Sequence, residues 1–374
     1  MRIGVDAREL CGHPTGAGRY LAGLLREWAR DDRARQHEFI LYTPEPLDTA
    51  LDARRFATRI VTGKPGTWWE QMRLPAAASG DHLDVFFSPA FTAPMRLLVP
   101  TVVAIHDLSF VAHPEWFRMR EGVRRRWLTR ASAMHARAVV TISQFSRREL
   151  VDSLGVPGPR IHVIPPGVTP ARPRHPHGAH EERVLFVGSI FNRRRVPDLI
   201  RSFGTVARRR PAASLDLVGD NRTYPREDVQ RAIDVEALDG RVRWHRYASD
   251  TELHDLYARA RVFAFLSEYE GLGLTPLEAL AAGVPPVLLD TPVAQESCGD
   301  AALYVSRGDM AGTARALELL LVDDTVRARL LAAAPAVLAK YQWTRAASET
   351  LAVIEQCATP FARSQSPVSR QRPI

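Results

Sequence analysis

The 374-residue chain is predicted to be an α/β protein of two doubly wound, Rossmann-like domains facing across a cleft, on three observations. Short β-branched or aromatic runs alternate with helical patterns, which implies parallel sheets covered on both faces. One proline- and glycine-rich segment divides these runs into two sets. At about 150 residues per domain, the length leaves room for two cores.

In order, the first strands fall at residues 2–7, 37–43, 85–89, 101–106, 138–143 and 161–164, each a short apolar run bounded by turn residues. After the first strand comes a glycine turn containing Gly16 and Gly18, then an amphipathic helix marked by Tyr20, Leu21, Leu24, Leu25 and Trp28. Residues 116–137 read as another helix, because Trp116, Met119, Val123, Trp127, Ala131 and Met134 recur at spacings of three or four. Core packing beneath a solvated basic face is the expected role of that stripe. The alternative is that this face of the first domain, Trp116 to Arg137, rests on an anionic membrane surface. Residues 165–178 hold too much proline and glycine to form an element, so residues 1–165 are expected to form one domain and 181–343 another, with 166–180 as linker. The second set of strands falls at 183–189, 214–219, 242–247, 262–267, 287–290 and 302–305. A last helix covers 344–358, and 359–374 reads as a disordered tail.

Composition narrows the function. With 45% hydrophobic and 25% charged residues the chain is of ordinary globular make-up, and no apolar run is long enough to span a bilayer. The N-terminus lacks the apolar core of a signal peptide, and Cys11, Cys298 and Cys357 offer neither metal-ligand spacing nor a disulfide framework. The expectation is a cytoplasmic protein, with a peripheral place on the inner face of the membrane as the alternative that the basic helix raises. The net charge of +8 is lopsided: residues 118–137 alone carry seven arginines against Glu121. Arginine-rich charge would suit nucleic acid, yet no recognition motif or interleaved stacking aromatics accompany it, so no nucleic-acid partner is expected.

Four constellations could carry chemistry, each at the carboxyl end of a strand, where doubly wound sheets bind ligands. In the segment Ser267 to Pro286, Glu270 closes a strand, Gly271 and Gly273 permit a tight turn, and a helix follows. The backbone N–H groups of Gly273, Leu274 and Thr275 at that helix start suit a diphosphate. Thr275 as N-cap with Glu278 three residues on also fits a plain capping box. The second constellation is the Gly16 turn. The third is Gly188 followed by Arg193, Arg194 and Arg195, where guanidinium groups match phosphate oxygens; a solvated helix start would read the same way. The fourth is His106-Asp107. There is no Asp-x-Asp pair, no Gly-x-Gly-x-x-Gly after either first strand and no P-loop, so neither a metal nor a cofactor is expected and arginines must neutralise any phosphate.

These residues resemble the retaining family-4 glycosyltransferases of the GT-B architecture, most closely their bacterial mannosyltransferase-like branch. The resemblance runs in order through Pro14–Tyr20, His106–Phe110, Val140–Ser146, Ile161–Val168, Phe186–Ser189, Leu217–Asn221 and Glu270–Glu278. It implies that Glu270 contacts the transferred sugar and Glu278 the nucleotide ribose, that Arg193 and Arg194 bind the diphosphate, and that Gly16 and His106 complete the site. It further implies metal-independent transfer of a hexose, with mannose from GDP-mannose favoured over another nucleotide diphosphate sugar, to a hydroxyl of a glycan or lipid-linked acceptor, with retention of configuration. Arg194 stands where lysine is usual, Leu272 replaces an aromatic and Pro286 an aliphatic residue. A sugar phosphorylase or nucleotide-sugar epimerase of the same fold would use the same anion site.

Overall fold

The computed structural model describes residues 1–12, 16–47, 51–52, 54–169 and 181–358. The expected tail, 359–374, and most of the expected linker lie outside them.

Continuous apolar runs make the central strands, buried on both faces. The first sheet holds β1 (Arg2–Asp6), β2 (Glu38–Thr43), β3 (Phe56–Ile60), β4 (Val85–Ser88), β5 (Thr101–Ala104), β6 (Ala138–Thr141) and β7 (Ile161–Val163). They lie all parallel in the order β3-β2-β1-β4-β5-β6-β7. The second sheet holds β8 (Arg183–Val187), β9 (Ser214–Val218), β10 (Val242–His245), β11 (Val262–Phe265), β12 (Pro286–Leu289) and β13 (Leu303–Val305). Its order is β10-β9-β8-β11-β12-β13, again parallel. Strand order reverses between β1 and β4 and between β8 and β11, and chain leaving the carboxyl ends there forms a crevice. Both sheets are doubly wound, as the sequence predicts; β3 was not expected. Of its five residues only Phe56 is buried, so this edge strand carries no apolar run.

The helix Met119–His135 corrects the expected core stripe. Its buried residues are Gly122, Leu128, Thr129, Ser132 and Ala133, whereas Met119 is 83% and Trp127 63% exposed, with Val123 and Met134 exposed beside them. The helix turns its small residues inward: Ala133 joins the apolar cluster of Val103 and Phe110, and a bulkier face would not fit so close to a sheet.

The last helix, Trp343–Ala358, returns to the first sheet. Ala346, Ala347, Leu351 and Ile354 share a core with Leu21, Leu24 and Trp28 of helix Gly16–Arg30, and Trp28 Nε1 donates to the Ala347 carbonyl at 2.9 Å. The Trp343 ring fills the space a side chain would need at both Gly23 and Gly167: a Cβ at either would lie 2.3 Å from it.

Candidate active site

The loop after β11 carries the acidic centre. Glu270 accepts hydrogen bonds at one carboxylate oxygen from Arg194 Nε and from Ser267 Oγ, both at 2.9 Å, and Arg193 Nε lies 3.9 Å from the same oxygen. Burial opposes the charge, but Arg194 and Arg193 more than offset it and hold the carboxyl below its ordinary range. Glu270 is therefore an ionised acceptor.

The arginines come from the loop after β8, and they are not the solvated helix start that the sequence also allowed. Arg193 and Arg194 are mostly buried, Arg193 rests over Phe191 (4.5 Å to the ring centre) and Arg194 over Phe265 (4.9 Å). Arg194 Nη1 donates to the Ser189 carbonyl at 2.9 Å and lies where a side chain at Gly188 would stand, 2.3 Å from an ideal Cβ. With φ of +143° as well, position 188 requires glycine. Both stacked on aromatic rings, and Arg194 tethered by hydrogen bonds as well, the two guanidinium groups form a cationic wall beside Glu270.

The helix Leu274–Ala281 starts differently from the expectation. Gly273, at φ +84°, is its N-cap, Leu274 and Thr275 are already helical, and no side chain caps it. Pro276 sits third rather than first, and the capping box of Thr275 with Glu278 does not form. The first-turn N–H groups of Leu274 and Thr275 have no partner within a helix, and the dipole behind them favours an anion. Glu278 is half-buried; burial raises its pKa, with Arg19 opposing. Arg19 belongs to the first turn of the Gly16 helix and approaches Asp250 of the second half at 3.8 Å.

His106 reaches the same place from the first sheet. Tyr20 meets its ring edge-on at 4.7 Å, Phe91 lies at 5.7 Å, and its Nε2 is buried with no partner among the described residues. Burial pushes its pKa down to about 4 despite Asp107 next to it, so the imidazole is neutral. The two halves touch here. A Cβ at Gly271 would lie 2.0 Å from the His106 carbonyl oxygen, so the residue after Glu270 packs directly on the histidine's backbone. The Gly271 carbonyl accepts from Ser143 Oγ at 2.5 Å and Ser146 Oγ at 3.2 Å, and Glu296 accepts from the N–H groups of Gln144 and Phe145 at 2.6 and 2.9 Å.

Glu270, His106, Arg193, Arg194, Gly188, Gly273, Leu274, Thr275 and Glu278 thus gather around one seam. Gly16 heads the helix whose Arg19 and Tyr20 face it, although an added Cβ at Gly16 would meet nothing within 4 Å. Sequence reasoning missed Arg19, Ser143, Tyr269 and Glu296. The first three lie inside segments already singled out, whereas nothing local marks Glu296. Among the described residues no group of three or more His, Cys, Asp or Glu stands together, and no helix is long and apolar enough to cross a membrane.

Comparison with known proteins agrees with this layout. Residues 14–172 match the model of Glycosyltransferase Family 4 and residues 169–337 that of Glycosyl transferases group 1. The chain is 26% identical over 294 residues to the O-antigen chain mannosyltransferase B of Escherichia coli, covering 75% of this chain and 76% of that one. It is 25% identical to the GDP-mannose:cellobiosyl-diphosphopolyprenol alpha-mannosyltransferase of Xanthomonas oryzae pv. oryzae, over 65% of this chain and 64% of the relative. Sucrose-phosphate synthase from Thermosynechococcus elongatus shares the fold with a TM-score of 0.77 at 19% identity, covering 95% of this chain and 98% of that one.

Proposed function

The chain belongs to the family-4-like glycosyltransferases of the GT-B fold, and from that premise we propose that it transfers mannose from GDP-mannose to a hydroxyl of a glycan or lipid-linked acceptor in the cytoplasm, with retention and without a metal. The observation that carries this reading is the ionised Glu270 carboxylate, held by two stacked arginines on one side of the seam, with the neutral His106 on the other.

The leaving nucleotide diphosphate develops negative charge as the glycosidic bond breaks. Arg193, Arg194 and the N–H groups of Leu274 and Thr275 meet that charge with a prearranged field, which replaces a metal ion. Glu270 holds sugar hydroxyls as an acceptor. His106, neutral, offers its free Nε2 to another. Glu278 takes the ribose hydroxyls, with Arg19 closing over them from the first half. The mannosyltransferase relatives, one of them named for a GDP-mannose donor and a polyprenol-linked acceptor, support the choice of donor and acceptor class.

Attachment to an anionic membrane belongs to the same reading. The exposed Met119, Val123 and Trp127 stand among Arg120, Arg124 and Arg125, and Arg124 donates to Thr67 at 2.7 Å beside a second exposed tryptophan, Trp68. Apolar side chains to insert and arginines to meet lipid phosphates suit one surface.

The test is a screen of nucleotide sugars by thermal stabilisation, followed by anomeric NMR of the product. GDP-mannose at about 100 times its Kd should add roughly 2.7 kcal/mol of stability. Activity should survive excess EDTA. Preference for another nucleotide sugar, an inverted product or loss of turnover that manganese restores would each overturn the corresponding part.

A further inference from the structure

Tyr269 immediately precedes Glu270, yet its side chain leaves the second half of the molecule. The buried ring is wedged among His113, Trp116 and Phe145 of the first half, all edge-on, at 5.5, 6.4 and 5.4 Å between centres. Its hydroxyl accepts from the Leu108 N–H at 3.1 Å and donates to the Glu149 carboxylate at 3.3 Å. Leu108 lies two residues beyond His106. On the other side, Ser267 Oγ is within hydrogen-bond distance of both the Tyr269 carbonyl (3.2 Å) and the Glu270 carboxylate (2.9 Å).

One residue is therefore tied at its backbone to the sugar-side glutamate and at its tip to the loop that carries the histidine. We propose that Tyr269 is a positioning residue whose hydroxyl sets the placement of Glu270 against His106, so that the two halves of the sugar site come into register only while that hydroxyl holds the Leu108 N–H. This rests on the reading of Glu270 and His106 as opposite walls of one site.

Ring packing alone would be served equally well by phenylalanine; the hydroxyl is the discriminating atom. It stays protonated, since burial and the neighbouring Asp107 and Glu149 carboxylates push its pKa far up, so it always has a proton for Glu149 and a lone pair for Leu108. Without it the Leu108 N–H is a buried donor with no acceptor, and the loop shifts to satisfy it. A displacement of about 1 Å between groups that orient a substrate costs about a hundredfold in rate.

The test is Tyr269→Phe in the full chain, read in two ways. Hydrogen–deuterium exchange of the peptide spanning residues 105–110 should speed up at least tenfold. Turnover of GDP-mannose should fall 10- to 100-fold in kcat with donor KM within twofold of wild type, whereas Tyr269→Leu, which also loses the ring, should lower thermal stability as well. Unchanged exchange in Tyr269→Phe overturns the proposal whether or not a donor is found. So does faster exchange with kcat intact. If wild type turns over no nucleotide sugar, the transfer reading falls, and the exchange result alone decides whether the hydroxyl fixes the histidine loop.

Discussion

Burial fixes what His106 can offer: a neutral ring with one N–H and one lone pair. Its pKa of about 4 in the fold lies below the ordinary 6.5, so between those values the unfolded chain binds the extra proton and stability falls as pH falls. Asp6 behaves oppositely. Burial lifts it from 3.8 to about 6 against the pull of Arg8, the folded state binds the proton, and acidification through that window stabilises. From about pH 6 to 4 the two slopes oppose. His106→Asn should therefore gain on wild type as pH drops, by at most about 1.4 kcal/mol per pH unit, measured by denaturant unfolding at pH 7 and 4.5. A constant difference would show that His106 titrates normally. Glu278 allows a similar separation of roles. Because no capping box forms, Glu278→Gln should leave stability within about 0.5 kcal/mol, as expected of a change that costs no cap, while raising donor KM about tenfold. Glu270→Gln should instead lower kcat by about 10² to 10³, the size of one lost electrostatic contact in the transition state.

The helix Met119–His135 shows what a periodic pattern does and does not tell. Spacings of three and four correctly gather Met119, Val123 and Trp127 on one face, but they cannot say which face meets the sheet. The small residues Gly122, Ser132 and Ala133 do so, because a close approach needs little volume. If the outward face meets lipid, Arg120, Arg124, Arg125 and Arg126 replaced by Gln should abolish cosedimentation with anionic vesicles at low salt and spare the melting temperature. At about 1 kcal/mol per arginine, the four account for reversible attachment. No binding by wild type at low salt would refute the membrane role. Strand-forming runs were legible wherever burial on both faces makes the run continuous, and β3 was not, with Phe56 alone turned inward. The turns at Gly188 and Gly273 were legible for a related reason: both have positive φ, and glycine is how a sequence writes that. Tyr269 and Glu296 were invisible because their partners, Leu108 and Gln144, lie 161 and 152 residues away.

At the scale of the molecule, the two halves meet through specific contacts, among them Gly271 on His106, the Ser143 and Ser146 hydroxyls on the Gly271 carbonyl, Tyr269 on the Leu108 N–H and Glu296 on the start of helix Gln144–Leu154. The chain itself supplies a further link, for helix Trp343–Ala358 belongs by packing to the sheet that began at Arg2. On the ribosome this matters. Residues 181–338 can collapse around β8 to β13 as soon as they emerge, while the earlier half waits with Leu21, Leu24 and Trp28 uncovered until the final segment arrives. The order of maturation is thus reversed relative to the usual N-terminal-first sequence. Chains stopped before Trp343 should be captured by chaperones and recovered as aggregates, with the second half still protease-resistant; a soluble, cooperatively melting 1–342 fragment would contradict this. For such a protein the arrival of helix Trp343–Ala358, not the linker, marks the moment at which its first domain is complete.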